Sequence, residues 1–192
     1  MSNLNANSPR PNSASWSGRL PVGDTELAAE YFRKAGYASG RYEGDEELLM
    51  VGVSEGVAQN TAEVAMENFE RLGFKVRLQL VTQDAMFTRF CALPSAKVAI
   101  CPNFSWGKDF SDAQTILAPT FDGDNIMPQM NSNWSQLDVP AINEARDEAA
   151  VLTDPAERAQ AWARINRMIT EQAPLISWIW DKTPLLRSDN VN

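Results

Sequence analysis

The chain has 192 residues, enough for one domain with a real core, and a net charge of −8 from 25 acidic and 17 basic residues. Hydrophobic residues make up 44% and charged residues 22%, which is ordinary globular usage, and the acidic balance argues against a nucleic-acid surface. There is no histidine, which excludes His-based acid–base catalysis, Ser-His-Asp and Cys-His centres, and the commonest metal ligand.

Met1 to Arg19 is rich in Asn, Ser and Pro and lacks the basic-then-apolar pattern of a signal peptide. No stretch approaches the roughly 18 apolar residues of a membrane span. If the protein works outside the cell, the chain is therefore expected to be a fragment. Residues 1–22 read as an extended lead-in, with Pro9, Pro11 and Pro21 opposing a helix.

Asp24 is a suitable N-cap for a short helix whose buried side is expected to be Leu27, Ala28, Tyr31 and Phe32, closed by Gly36. Leu48 to Val53 is a compact apolar run of strand length. Ser54 to Leu72 has a helical apolar stripe of Val57, Val64, Ala65, Phe69 and Leu72, with Gly73 as its C-cap. Phe74 to Val81 alternates apolar and polar, the period of a half-buried strand. A short helix over Thr82 to Cys91 and a small strand over Lys97 to Cys101 follow. That order predicts an α/β fold, a small mostly parallel sheet flanked by helices.

Pro102 to Val139 is rich in Asn, Asp, Pro and Gly and reads as loops around one short helix near Ala113 to Leu117. Long irregular segments in a compact domain are commonly functional. Pro140 to Leu152 is a helix, and Asp154, Pro155 and Glu157 set the start of another, which Pro174 stops. Leu175 to Trp180 reads as a final strand. Cys91 and Cys101 are open to two readings, buried thiols or a disulfide, according to the compartment.

Several segments resemble extracellular solute-binding protein family 5, whose members include oligopeptide- and dipeptide-binding proteins. They are Gly23-Asp24-Thr25-Glu26-Leu27-Ala28 running to Ala35-Gly36-Tyr37, Arg71-Leu72-Gly73-Phe74-Lys75-Val76, Trp106-Gly107-Lys108-Asp109-Phe110, and Thr153-Asp154-Pro155-Ala156-Glu157-Arg158 through Pro174-Leu175-Ile176. The resemblance implies a periplasmic-binding-protein-like lobe over residues 23–183, the second of two that close on a solute, with residues 184–192 returning towards the missing first lobe. It implies a peptide or other small solute, an ABC permease as membrane partner, an extracytoplasmic location, no cofactor and no catalytic residue. It also favours the Cys91–Cys101 disulfide, which would anchor the base of the loop that follows.

Trp106 and Asp109 follow a strand, at the end of an α/β layer where ligands tend to bind. A carboxylate there can pair with an ammonium group, and an indole provides an apolar wall. In the family's peptide binders the aspartate matching Asp109 receives the peptide's α-amino group, so the resemblance gives Asp109 that role. Asn103 and Phe104 lie on the same exit from the strand. Some members have an arginine near Asn103's position for the peptide carboxylate; the amide here points to longer peptides or a non-peptide solute. Asn131, Asn133 and Trp134 form a further polar-aromatic group that could line the cleft or simply pack. For Trp106 and Asp109, too, the plain alternative is packing and turn capping.

Asp122-Gly123-Asp124-Asn125 resembles the start of a calcium loop but lacks the acidic residue that closes one, so no metal is expected. Trp162, Trp178 and Trp180 read as packing residues. Two readings from other classes remain: a small enzyme using acidic residues such as Asp109 and Asp112, and a stand-alone protein-interaction domain.

Overall fold

The computed structural model describes residues 24–176. The lead-in 1–22, the tail 184–192, and Trp178 and Trp180 of the expected final strand lie outside the described residues. Of that strand's first residues, Leu175 and Ile176 are irregular and exposed.

Helix α1 (Thr25–Lys34) begins as expected, with the Asp24 carboxylate accepting from the Leu27 N–H at 2.9 Å. Its apolar face differs from expectation. Leu27 and Tyr31 are exposed, while Phe32 turns inward and joins Tyr37, Tyr42, Phe69 and Phe74 in a chain of ring contacts. This aromatic group draws α1 in from one side only.

Strand β1 (Glu47–Val53), helix α2 (Gly56–Arg71) and strand β2 (Lys75–Val81) form the βαβ unit read from the sequence, with β1 and β2 parallel in register from Glu47 opposite Lys75 to Val53 opposite Val81. Gly73 lies at φ 100°, and a Cβ there would stand 2.4 Å from the Tyr42 carbonyl oxygen, so the turn into β2 requires glycine. Helix α2 meets the sheet through Thr61 and Ala62, and a Cβ on Gly52 would lie 2.6 Å from that of Ala62. Val57 and Val64, expected in the helix stripe, are exposed.

After β2, Thr82 caps a short helical turn (Gln83–Ala85) that runs into a π-helix (Met86–Cys91) and then a 3₁₀ turn (Pro94–Ala96). The strand expected over Lys97 to Cys101 is reduced to a single parallel bridge between Met50 and Ile100. The Val51 N–H donates to the Ile100 carbonyl at 3.0 Å, and the Ile100 N–H donates to Leu49 at 3.2 Å. A parallel ladder would next need an N–H from residue 102, and Pro102 has none. Left-handed backbone at Lys97 (φ 50°) and Asn103 (φ 60°) turns the chain away on either side. A disulfide joins Cys91 to Cys101, with Cα atoms 6.3 Å apart.

Helix α3 (Gln114–Phe121), a 3₁₀ turn (Gly123–Asn125), α4 (Pro140–Ala150) and α5 (Pro155–Glu171) complete the described fold. Asp154 caps α5 by accepting from Ala156 and Glu157. Two apolar clusters result. Val51, Met86 and Cys91 are buried between sheet and π-helix, and Phe121, Ile142, Ala149, Ala161, Trp162, Ile165 and Ile169 are buried among the helices. The segment carrying Trp106 and Asp109 runs from the first cluster to the second.

Candidate functional site

The segment leaves the sheet through a turn closed by the Phe104 N–H donating to Cys101 at 3.4 Å. Asn103 occupies the left-handed position of that turn, which asparagine tolerates well, and it is exposed. Phe104 packs back against the Val51–Met86–Cys91 cluster. The disulfide holds the π-helix against the foot of this turn, and Phe87 from that helix meets the Phe104 ring at 4.1 Å between centroids. Trp134 contacts the other side of Phe104 edge-on at 4.1 Å, and Trp106 lies 6.2 Å beyond Trp134. Three separate segments thus build one continuous row of rings.

Trp106 ends the row and is 40% exposed. Its indole N–H donates to the Thr115 carbonyl at 3.0 Å, which fixes the ring and uses its polar atom internally. What Trp106 offers to solvent is hydrocarbon. Asp109 lies in the same loop, exposed, with no ion pair or hydrogen bond among the described residues. Beside it a shallow, open concavity of about 420 Å³ is lined by Asp109, Phe110, Thr115, Pro119, Asp122 and Arg146, among others. Thr115 therefore belongs to the concavity and also anchors the ring row.

A cation holds the loop from behind. Arg158 of α5 reaches Asp112 through Nε at 2.6 Å and also donates to the Gln114 side chain. Its Nη1 donates to the carbonyls of Ala149, Ala150 and Leu152 at 2.9, 3.0 and 3.3 Å, closing the C-terminal end of α4. The Arg158 hydrogen bond holds the Asp112 carboxyl below the usual aspartate range, against the opposing effect of burial, with help from the Gln114 N–H. Asp112 in turn accepts from the Thr115 hydroxyl through its carbonyl at 3.0 Å. A connected polar chain therefore runs Arg158–Asp112–Thr115–Trp106.

Asp122, in the run that resembles a calcium loop, pairs with Arg146 at 2.7 Å, and a guanidinium is the cation beside it. Asn131 and Asn133 are buried. The Asn133 amide donates to the Asp122 and Leu137 carbonyls and accepts from Ser135 and Leu137, which fills both its donors and its acceptor. Asn131 donates to the Asn133 carbonyl at 2.7 Å. The two amides organise the loop that presents Trp134. Of the residues singled out from sequence, the structure thus brings together Phe104, Trp106 and Trp134, and puts Asp109 and Asn103 on the same exposed segment. Sequence reasoning missed Phe87 and the Arg158 anchor. No sequence pattern marks Phe87, because its partner Phe104 comes from another element.

No family profile and no curated protein matches the chain. Solved structures do. The clavulanic acid biosynthesis oligopeptide binding protein 2 superposes with a TM-score of 0.73 at 27% identity over 84% of this chain. The chain resembles solute-binding protein family 5. The periplasmic binding protein DppA from Helicobacter pylori, complexed with the peptide STSA, gives a TM-score of 0.65 at 19% identity over 79% of this chain. AgaA from A. tumefaciens R10, complexed with agropinic acid, gives 0.63 at 24% identity over 81%. The chain spans 29%, 28% and 30% of those three structures respectively, less than a third of each. Its fold is mixed α/β, as the order of its elements implied, and periplasmic-binding-protein-like, as the resemblance implied.

Proposed function

We propose that the chain is the solute-binding lobe of an ABC-importer binding protein, that its solute is a peptide or similar small molecule, and that it makes and breaks no bond. The observation that carries this reading is the exposed carboxylate of Asp109, which has no ion pair or hydrogen bond among the described residues, in the loop that holds the fixed ring of Trp106. Asp109 accepts the solute's ammonium group, Trp106, Phe104 and Trp134 form the wall beside it, and Asn103 lies at the rim. Asn133 acts by shaping the loop that carries Trp134.

In this reading a first lobe of the same protein closes over the site, and the closed form is what an ABC permease in the membrane recognises. Closure strengthens the Asp109–ammonium pair because water no longer screens it. The working step is a shift of population between open and closed forms. An extracytoplasmic location follows from that role and agrees with the disulfide. The acidic-enzyme alternative has little support, since Asp112 is committed to Arg158 and gives Asp109 no acid–base partner.

The test is tryptophan fluorescence of the two-lobed protein titrated with peptide pools of increasing length, for the wild type and Asp109→Asn. A saturable change that the variant weakens tenfold or more, about 1.4 kcal/mol, supports the clamp. A flat response to every pool overturns the peptide assignment and directs the search to other small solutes.

A further inference from the structure

We infer that the cleft between α4 and α5 is a second binding site, and that it takes a free α-amino acid with an aliphatic side chain. It lies apart from the concavity beside Asp109 and shares no lining residue with it. Arg146 of α4 lines that concavity, and its neighbour Ala145 lines the cleft.

The cleft holds about 270 Å³, below the roughly 300–1,000 Å³ of sites that take drug-sized ligands, which suits an occupant of amino-acid size. Its floor belongs to the helical core: Ala149, Ala161 and Ile165 line it and are 0%, 4% and 1% exposed. Packed helices normally fill such a space with interdigitating side chains, and here two of the three floor positions carry only a methyl group. Leu152 and Met168 line it too and stay half-buried, so apolar surface is left for a ligand to cover.

Charge at the mouth selects the ligand. Glu148 of α4 and Arg164 of α5 line the same cleft and are exposed. Neither side chain has an ion pair or hydrogen bond among the described residues, so they do not pair with each other across the gap. Nor does either have an opposite charge one turn away on its own helix. Glu148 is flanked at that spacing by Glu144, Ala145, Val151 and Leu152, and Arg164 by Gln160, Ala161, Arg167 and Met168. An ammonium and a carboxylate on one carbon satisfy both. Arg164 donates its fork to the carboxylate, Glu148 accepts from the ammonium, and the aliphatic side chain enters the cleft. A peptide sets its two terminal charges farther apart, and a fatty acid or an alkylamine satisfies only one side.

The test uses the chain with its methionine methyls isotopically labelled for NMR, the Met168 resonance assigned from Met168→Leu. It is titrated with L-leucine, glycine, leucinamide and isocaproate. Leucine should shift the Met168 resonance saturably, at concentrations where the other three probes do nothing. Arg164→Gln and Glu148→Gln, at exposed positions, should each weaken that binding fivefold or more. Ala145→Leu, which fills the cleft, should abolish it while the circular-dichroism spectrum stays that of the wild type. Equal shifts with glycine, leucinamide or isocaproate overturn the inference, as does the absence of any response at millimolar leucine. A leucine response that Asp109→Asn removes and Arg164→Gln spares also overturns it, by putting leucine in the solute site. Failure here leaves the solute-binding proposal standing, because that proposal rests on other residues.

Discussion

Arg158 and Asp112 are 46 positions apart in sequence and meet at 2.6 Å, which joins the loop carrying Trp106 and Asp109 to the two helices behind it. The same guanidinium closes the carbonyl end of α4 and lies 5.8 Å from the centroid of the Trp162 ring. One side chain thus serves the core, a helix terminus and the site loop.

Replacing Arg158 by Gln should destabilise the protein by about 2–4 kcal/mol, because it leaves Asp112 and several carbonyls without their partner. Arg158→Lys should recover only part of that, since an ammonium cannot fork across Asp112, Gln114 and the α4 carbonyls together. Urea melts followed by circular dichroism would measure both. A Gln variant with an unchanged midpoint would show that the anchor contributes nothing.

Acid should loosen the same joint. Asp112's carboxyl is held below its ordinary value of 3.8 in the folded protein, so its contribution is complete above that pH and is lost as pH falls through the lower, folded value. Asp112→Asn should already lack this contribution at neutral pH and should show a flatter loss of stability below about pH 4. Thermal midpoints for both proteins between pH 6 and pH 2.5 would decide the point, and parallel curves would refute it.

Reduction of the Cys91–Cys101 bridge should lower stability by about 2–3 kcal/mol, as expected for a short closed loop. It should also change the tryptophan emission, because the bridge secures the turn from which Phe104 reaches Trp134. Melts and emission spectra with and without a phosphine reductant, beside the Cys91→Ala/Cys101→Ala variant, give both readings. Identical melts would mean that the turn is held by packing alone.

Substitution should separate true core from apparent stripe. Ile165→Ala, at a position 1% exposed, should cost about 2–5 kcal/mol. Val57→Ala, at 77% exposed, should stay within about 0.5 kcal/mol. A large cost at Val57 would show that α2 buries that face.

This contrast also marks where the sequence was legible. Element positions could be read because the chain states them locally: Asp24 and Asp154 offer cap oxygens, Gly73 permits the turn into β2, and the alternation from Lys75 to Val81 matches a strand. Which faces are covered could not be read. Periodicity marks Leu27, Tyr31, Val57 and Val64 as one-sided, yet what lies against them depends on distant elements. The shortened third strand was a question of a single missing N–H at Pro102, which composition and pattern pass over. Within the site, Trp106 and Asp109 stood out through the resemblance of their turn to a known motif. Phe87 did not, since its partner Phe104 comes from another element and only the folded chain brings them together.

The site loop is fixed at both ends by groups that belong to the scaffold. Phe104 is seated on the sheet cluster next to the disulfide, and Asp112 is bound by Arg158. Between these posts, residues 105–111 carry no buried side chain. Their composition can drift without disturbing either core, so a single scaffold could acquire new solute preferences by exchanging this one segment, much as a tool holder accepts a different bit.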